Sequence, residues 1–379
     1  MSKHVNPNMI RWARLRSGLS VNDIATMMKR DPSEIAMWEE GTKKPSYSQL
    51  EKLAYSHLHI PLALFFFPIP PNLPDHKQKF RRLSEYELER LGPDTIQKIH
   101  LGQAYQLSLK ELAVEGRQSK KIFVDVQSTG LNTRTLARKA RTYLGITHPQ
   151  QVAFQSPEKA LKQWRFAIEQ AGIYTFKDTF KDDFVSGFCL LDQNWPIIFV
   201  NNSSAFTRQI FTLAHELGHI LHGVNGVTDI DEDYLEYMAV QDKKIEMNCN
   251  LFASELLMPE NQFKNDLEHF KINGTSAIAQ IADKYSVSRE VVLRRLLDHG
   301  AITQDNYREQ TKEWNADYFR NRRSKAGGNY YLTKLAYLGE GYTQLAYQNY
   351  NKGRIDGFQL ANHLNIKAKN LERLSTYLR

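Results

Sequence analysis

The sequence predicts an α+β chain, mostly helical. A helix-turn-helix domain comes first, then a domain with a small sheet and a His-Glu-x-x-His helix, then a helical C-terminal tail. Three observations predict it. Short amphipathic segments that start on cap residues and stop at Gly or Pro fill residues 9–56. Two β-rich runs, 185–191 and 196–200, flank Asp192-Gln193-Asn194-Trp195, a hairpin signal. The apolar run Phe211 to His222 carries His215-Glu216-Leu217-Gly218-His219 at helical spacing.

In chain order, Met9 to Arg16 is amphipathic, and Ser20 can cap a helix over Val21–Lys29. Asp31 or Ser33 can cap a third helix that runs to Glu40 and ends at Gly41, and Pro45-Ser46 opens a fourth over Tyr47–Ser56. Two short helices across a tight turn suggest a helix-turn-helix. The Pro-rich stretch 68–74 closes that domain. Residues 84–116 are polar and helical. Residues 121–127 have strand composition, and 132–144 and 157–171 are amphipathic helices. After the His-Glu-x-x-His helix come an acidic loop, Asp229 to Glu236, and an apolar helix from about Lys244 to Leu257, ended before Pro259. Ile278 to Leu296 and Ile355 to Leu374 have further helix-turn-helix patterns. The expected domains are 1–74, a connector 75–120, a second domain 121–300 and a basic helical region 301–379.

Composition bounds the function. Of the 379 residues, 41% are hydrophobic and 24% charged, as in a globular chain. The net charge of +8 is uneven, with thirteen Lys or Arg against seven Asp or Glu in residues 301–379, so nucleic acid or an acidic protein can be met there. The two cysteines, Cys189 and Cys249, make neither a disulfide framework nor a Cys-x-x-Cys pair and read as small buried residues. The N-terminus lacks an apolar signal core, and the run Ile60 to Pro71 is too short and too Pro-broken to span a bilayer. A cytoplasmic protein without a membrane partner is expected.

The chemistry centres on the fourfold spacing. Residues four apart share a helix face, so His215 and His219 aim both imidazoles at one Zn2+ ion, with Glu216 in reach of a water on it. A catalytic zinc needs a third protein ligand and an open position. His222 lies two turns from His215. The metzincin pattern needs Gly at 222 and His at 225, where this chain has His222 and Asn225. Glu246, 27 residues beyond His219 at the start of an apolar helix, is the expected third ligand. Glu216 is then the general acid/base of peptide hydrolysis. His222, Tyr234 and Tyr237 are candidates for a second-shell or oxyanion role, and the sequence does not choose among them.

Arg208 to His219, followed by Glu246-Met247-Asn248-Cys249-Asn250-Leu251-Phe252-Ala253-Ser254-Glu255-Leu256-Leu257-Met258-Pro259, resembles the ImmA/IrrE family of zinc metallopeptidases. So do Ser186-Gly187-Phe188, Ile197 to Asn201 and Val287 to Leu296, so the matches cover about residues 150–300. One departure is Cys249, where the family usually carries Ala. The resemblance implies a gluzincin-like endopeptidase that cleaves a helix-turn-helix repressor or antitoxin-like regulator; the alternative is a DNA-binding regulator whose peptidase-like domain senses metal or binds a partner without cleaving. Residues 9–67 resemble the XRE helix-turn-helix, at Leu19-Ser20, Ile35, Trp38-Glu39, Gly41, Pro45-Ser46 and Leu50.

In such motifs the first residues of the third helix meet base edges, and Lys or Arg meets phosphates. Here the reading positions hold Ser33, Glu34 and Met37, and Glu34 carries the wrong charge for phosphate. Arg11, Arg14, Arg16, Lys43 and Lys44 are the candidate backbone contacts. Two readings stand side by side: weak DNA binding, or a repressor-like fold reused to dock a protein.

Overall fold

Cap chemistry sets the first helices. Asn6 accepts from the Asn8 amide at the start of α1 (Pro7–Arg16), and Ser20 and Asp23 form a capping box on α2 (Val21–Met28). Asp31 caps α3 (Pro32–Glu40), whose first residue is a proline, and Gly41 ends it at φ 80°. Ser46 and Gln49 box the start of α4 (Tyr47–Glu51), which runs on as a π-helical stretch over Lys52–Leu58. Met9, Ile10, Ile24, Ile35, Trp38 and Leu50 close one core between these helices, each at most 2% exposed.

This is a computed structural model, which describes residues 5–58, 65–70, 91–112, 121–182, 185–229, 240–321, 328–366 and 368–377. It divides into two compact units, residues 1–81 with 85–100, and 82–84 with 101–379. Helix α5 (Pro93–Leu112) falls in both. The expected helical stretch before it lies outside the described residues. Among the described residues no helix is long and apolar enough to cross a membrane.

The second unit is built on a four-stranded sheet in the order β1-β3-β2-β4, with β1 (Tyr174–Asp178), β2 (Val185–Leu190), β3 (Ile197–Asn201) and β4 (Gly226–Asp229). β2 and β3 pair antiparallel, as the hairpin signal predicts, and β1 joins β3 in parallel. Ile198 and Cys189 point to a helical layer that includes α7 (Thr133–Leu144), α9 (Pro157–Gln170) and α10 (Phe206–Leu221). On the other face Phe176, Phe188 and Phe199 stack in a row, and Tyr105 of α5 lies 4.3 Å from Phe176. Helix α10 comes so close to the sheet that a Cβ on Gly187 would meet the Phe199 carbonyl and Thr212 at 2.7 Å, which only glycine avoids.

Two expectations are corrected here. Residues 121–127 are not a strand: Ile122–Asp125 forms the single-turn helix α6, with Ile122 fully buried. Ile122 and Val126 serve the core while Val124 faces solvent, and the edge place beside β3 is taken by β1, a strand not expected from the sequence. The expected acidic loop does not begin at Asp229, which ends β4, a third antiparallel strand on the hairpin; residues 230–236 of that loop lie outside the described residues.

The remaining helices are α8 (His148–Val152), α11 (Val240–Leu257), α12 (Glu260–Asn273), α13 (Ser276–Tyr285), α14 (Arg289–Asp298) and α15 (Gln304–Asn321). After them come α16 (Tyr330–Leu338), α17 (Glu340–Asn351), α18 (Gly357–His363) and α19 (Leu371–Ser375). The last four are no loose tail. Arg165 bridges the Thr175 and Ala336 carbonyls at 2.8 and 2.7 Å, the Gly341 amide donates to Glu169, and Tyr342 packs edge-on against Phe176.

Candidate metal centre

Helix α10 is apolar on nearly every side, so its last three turns are buried and its histidines are taken out of water with it. His215 and His219 are each 1% exposed, and their Nε2 atoms lie 2.9 Å apart. Helix α11 packs against α10 and brings Glu246 between them. Its Oε2 is 3.1 Å from His215 Nε2 and its Oε1 3.1 Å from His219 Nε2. Among the described residues these three form the one group of metal-ligand type whose donor atoms converge.

The donor set fits a zinc ion. In a tetrahedral site with bonds of about 2.0–2.1 Å, donors sit roughly 3.3 Å apart. The observed 2.9 to 3.1 Å separations need only a few tenths of an ångström of spreading. The tautomer also fits. His215 Nδ1 donates to Asn250 Oδ1 at 2.9 Å, leaving the Nε2 lone pair for a ligand. Asn250 was missed in the sequence, although its position four residues after Glu246 puts both on one face of α11.

The electrostatics follow from burial against pairing. Burial alone would raise the Glu246 carboxyl, but His219 and His215 hold it well below the usual carboxylate range. Burial would lower His219, yet Cys249 and Glu246 beside it hold it well above the ordinary imidazole value. Gly226 of β4 lies flat on this ring, and a Cβ there would reach His219 Cδ2 at 2.5 Å. Glu216 is fully buried beside the group, and the Cys189 thiol on β2 lies close to it. Burial and the neighbouring Glu216 push that thiol far up, so it stays protonated, and it donates to the Val224 carbonyl at 3.8 Å. Cys189 and Cys249 are thus both buried, as expected, and both line this centre.

His222 stays out of the converging group. It caps the C-terminus of α10, half-buried, and burial with the nearby His219 lowers its pKa. Asn225, at the position where a metzincin would hold its third histidine, accepts from the Leu191 amide at 2.6 Å. Tyr234 and Tyr237 lie outside the described residues.

In the first unit the candidate DNA contacts separate. Arg14 belongs to the fold: it is 8% exposed, forks onto Glu39 at 2.6 and 2.9 Å and donates to the Leu19 carbonyl. The expectation that it reaches phosphate is therefore corrected. Glu34 is also not an unscreened charge facing outward. Lys43 Nζ lies 3.0 Å and Arg30 3.8 Å from its carboxylate. Arg16 stacks over Trp12 at 5.7 Å. Arg11, Ser33, Met37, Lys43 and Lys44 are exposed.

Residues 168–297 match the family described as the IrrE N-terminal-like domain, a peptidase family, and residues 10–54 match the helix-turn-helix family. Over 112 residues the chain is 35% identical to the radiation response metalloprotease IrrE of Deinococcus radiodurans, covering 29% of this chain and 34% of that protein. It is 32% identical over 112 residues to the protein of the same name from Deinococcus deserti, covering 29% and 39%. A 77-residue stretch, 20% of this chain, is 35% identical to 37% of a high frequency lysogenization protein HflD homolog of Dichelobacter nodosus. The chain thus spans little more than a third of the length of these curated relatives. It carries an IrrE-like metallopeptidase domain behind a helix-turn-helix domain.

Proposed function

We propose that this chain is a zinc-dependent endopeptidase whose substrate is a protein regulator of the repressor or antitoxin kind, and whose first unit binds DNA. The observation that carries the peptidase reading is the convergence of His215, His219 and Glu246 beside the buried Glu216. These three residues would hold the zinc, with Asn250 fixing the tautomer of His215. A zinc ion bound there supplies Lewis acidity, polarising a carbonyl and acidifying water. Glu216 then takes a proton from water and hands it to the leaving amine. The regulator as substrate is supported by the chain's own helix-turn-helix, which brings the peptidase to the place where such proteins work, and by the likeness to metalloproteases named for a radiation response.

The test pairs metal content with cleavage. Purified protein should hold about one zinc per chain, and Glu246→Ala should lose most of it. Glu216→Gln should keep the metal and lose cleavage of a co-expressed helix-turn-helix regulator from the genomic neighbourhood by at least about a hundredfold. Wild-type cleavage by Glu216→Gln would overturn the mechanism. Full zinc occupancy in Glu246→Ala would move the third ligand elsewhere.

DNA binding by the first unit is supported by the internal neutralisation of Glu34, which removes the repulsion expected from the sequence, and by the exposed cations around α3.

A further inference from the structure

Helix α3 buries Ile35 and Trp38 and turns Ser33, Ala36, Met37 and Glu40 the other way. At 100° per residue these four fall within a stripe opposite the buried pair. A reader of guanine or adenine presents Arg, Lys, Asn or Gln there, which this stripe lacks. What it presents is a hydroxyl at Ser33, a small apolar surface at Ala36 and a thioether chain at Met37, 39% exposed. Glu40 sits in the last turn, away from the N-terminal end that enters a groove in this motif. The apolar group that a base pair offers in the major groove is the C5-methyl of thymine.

The charges around the stripe fit the same ligand. Lys29 and Arg30 immediately precede α3, and Lys43 and Lys44 follow it. Arg30 and Lys43 both reach Glu34, so the two basic flanks are drawn together beside the N-terminal half of the helix. Lys29, Arg30 and Lys43 against Asp31 and Glu34 leave that end net positive, as a phosphate-contacting rim requires. The Met37 carbonyl takes the Lys43 amide and the Thr42 hydroxyl, which holds the basic loop against the helix.

We propose that α3 reads thymine methyl groups in the major groove of duplex DNA through Met37 and Ala36, with Lys29, Arg30, Lys43 and Lys44 on the phosphates. This rests on the DNA-binding reading above and adds what that reading lacks, a base preference and the residue that makes it.

The experiment uses the full chain and three duplexes of about 20 base pairs, long enough for two helical turns. One alternates adenine and thymine, the second carries deoxyuridine for every thymidine, and the third is all G·C. Uracil differs from thymine by the methyl alone. The thymine duplex should bind more tightly than the uracil duplex, by about fourfold for each methyl covered. The salt dependence of the two should be the same, because the phosphate contacts are unchanged. In Met37→Ala, an exposed position, the difference between thymine and uracil should shrink by at least about half. Equal affinity for thymine and uracil duplexes overturns the proposal and leaves DNA binding standing, as does a preference that Met37→Ala leaves intact. Absence of salt-dependent binding to any of the three duplexes overturns both.

Discussion

Two helix pairs in this chain share one turn and use it for opposite ends. Helix α2 ends on Lys29 at φ 55°, and α3 is capped two residues later by Asp31. Helix α13 ends on Ser286 at φ 56°, and α14 is capped two residues later by Ser288. In both, the amide after the left-handed residue returns to a carbonyl five residues back, Arg30 to Ala25 and Val287 to Ala282. The local code is the same, and the second helices diverge. Around α3 the cations stay at the surface and meet one shared carboxylate. On α14 one arginine goes into the core. Arg289 stacks on Trp314 at 4.7 Å, Arg294 pairs with Asp298, and Arg295 is buried against Glu255, Glu260 and the Met258 carbonyl. In the second helix-turn-helix the buried Arg295 is a packing device. Arg295 ties α14 to the end of α11, the helix that carries Glu246.

That contrast can be broken at four places. The largest effect is expected from Arg295→Ala. Arg295 and Glu255 are each 1% exposed in side chain, and removing the cation leaves a buried carboxylate unpaired, at a cost of about 3–5 kcal/mol. Denaturant unfolding should show it, and a loss below about 1 kcal/mol would make this pair incidental. Arg14→Ala removes a forked pair that is about a tenth exposed, so about 2 kcal/mol is expected from the first unit, with the metal content unchanged. A DNA defect in Arg14→Ala without any loss of stability would return that residue to the interface. Arg289→Ala loses a stacked cation at the surface of α14, worth about 0.5–1 kcal/mol, and should leave DNA affinity untouched. Replacing Lys43 and Lys44 together by Ala should move stability by no more than about 0.5 kcal/mol. Its signature is in DNA binding, where the salt slope should fall by about 2. A slope unchanged in that double variant would place the phosphate contacts elsewhere.

Much of this was legible without coordinates because it is local. Capping is decided within three residues, so Ser20, Asp31 and Ser46 announce their helices in the sequence. The spacing of His215 and His219 is likewise a property of one helix. The hairpin of β2 and β3 was legible from its turn residues, whereas β1 and β4 were not. β1 pairs in parallel with a strand about twenty residues further along the chain, and β4 is four residues long, so neither has a local signature.

What the sequence by itself determined is therefore the type and place of most helices, the pair of imidazoles on one face, and the charge each segment brings. Tertiary structure alone decided which of those charges are available. Arg14 and Arg11 look alike in the sequence. One is buried on Glu39 and the other is at the surface, because burial depends on elements far along the chain. Packing of α11 on α10 likewise set Glu246 against His215 and His219, brought Asn250 to the far nitrogen of His215, and enclosed both cysteines around them. Such convergence depends on distances between helices, which no spacing within a single helix can encode.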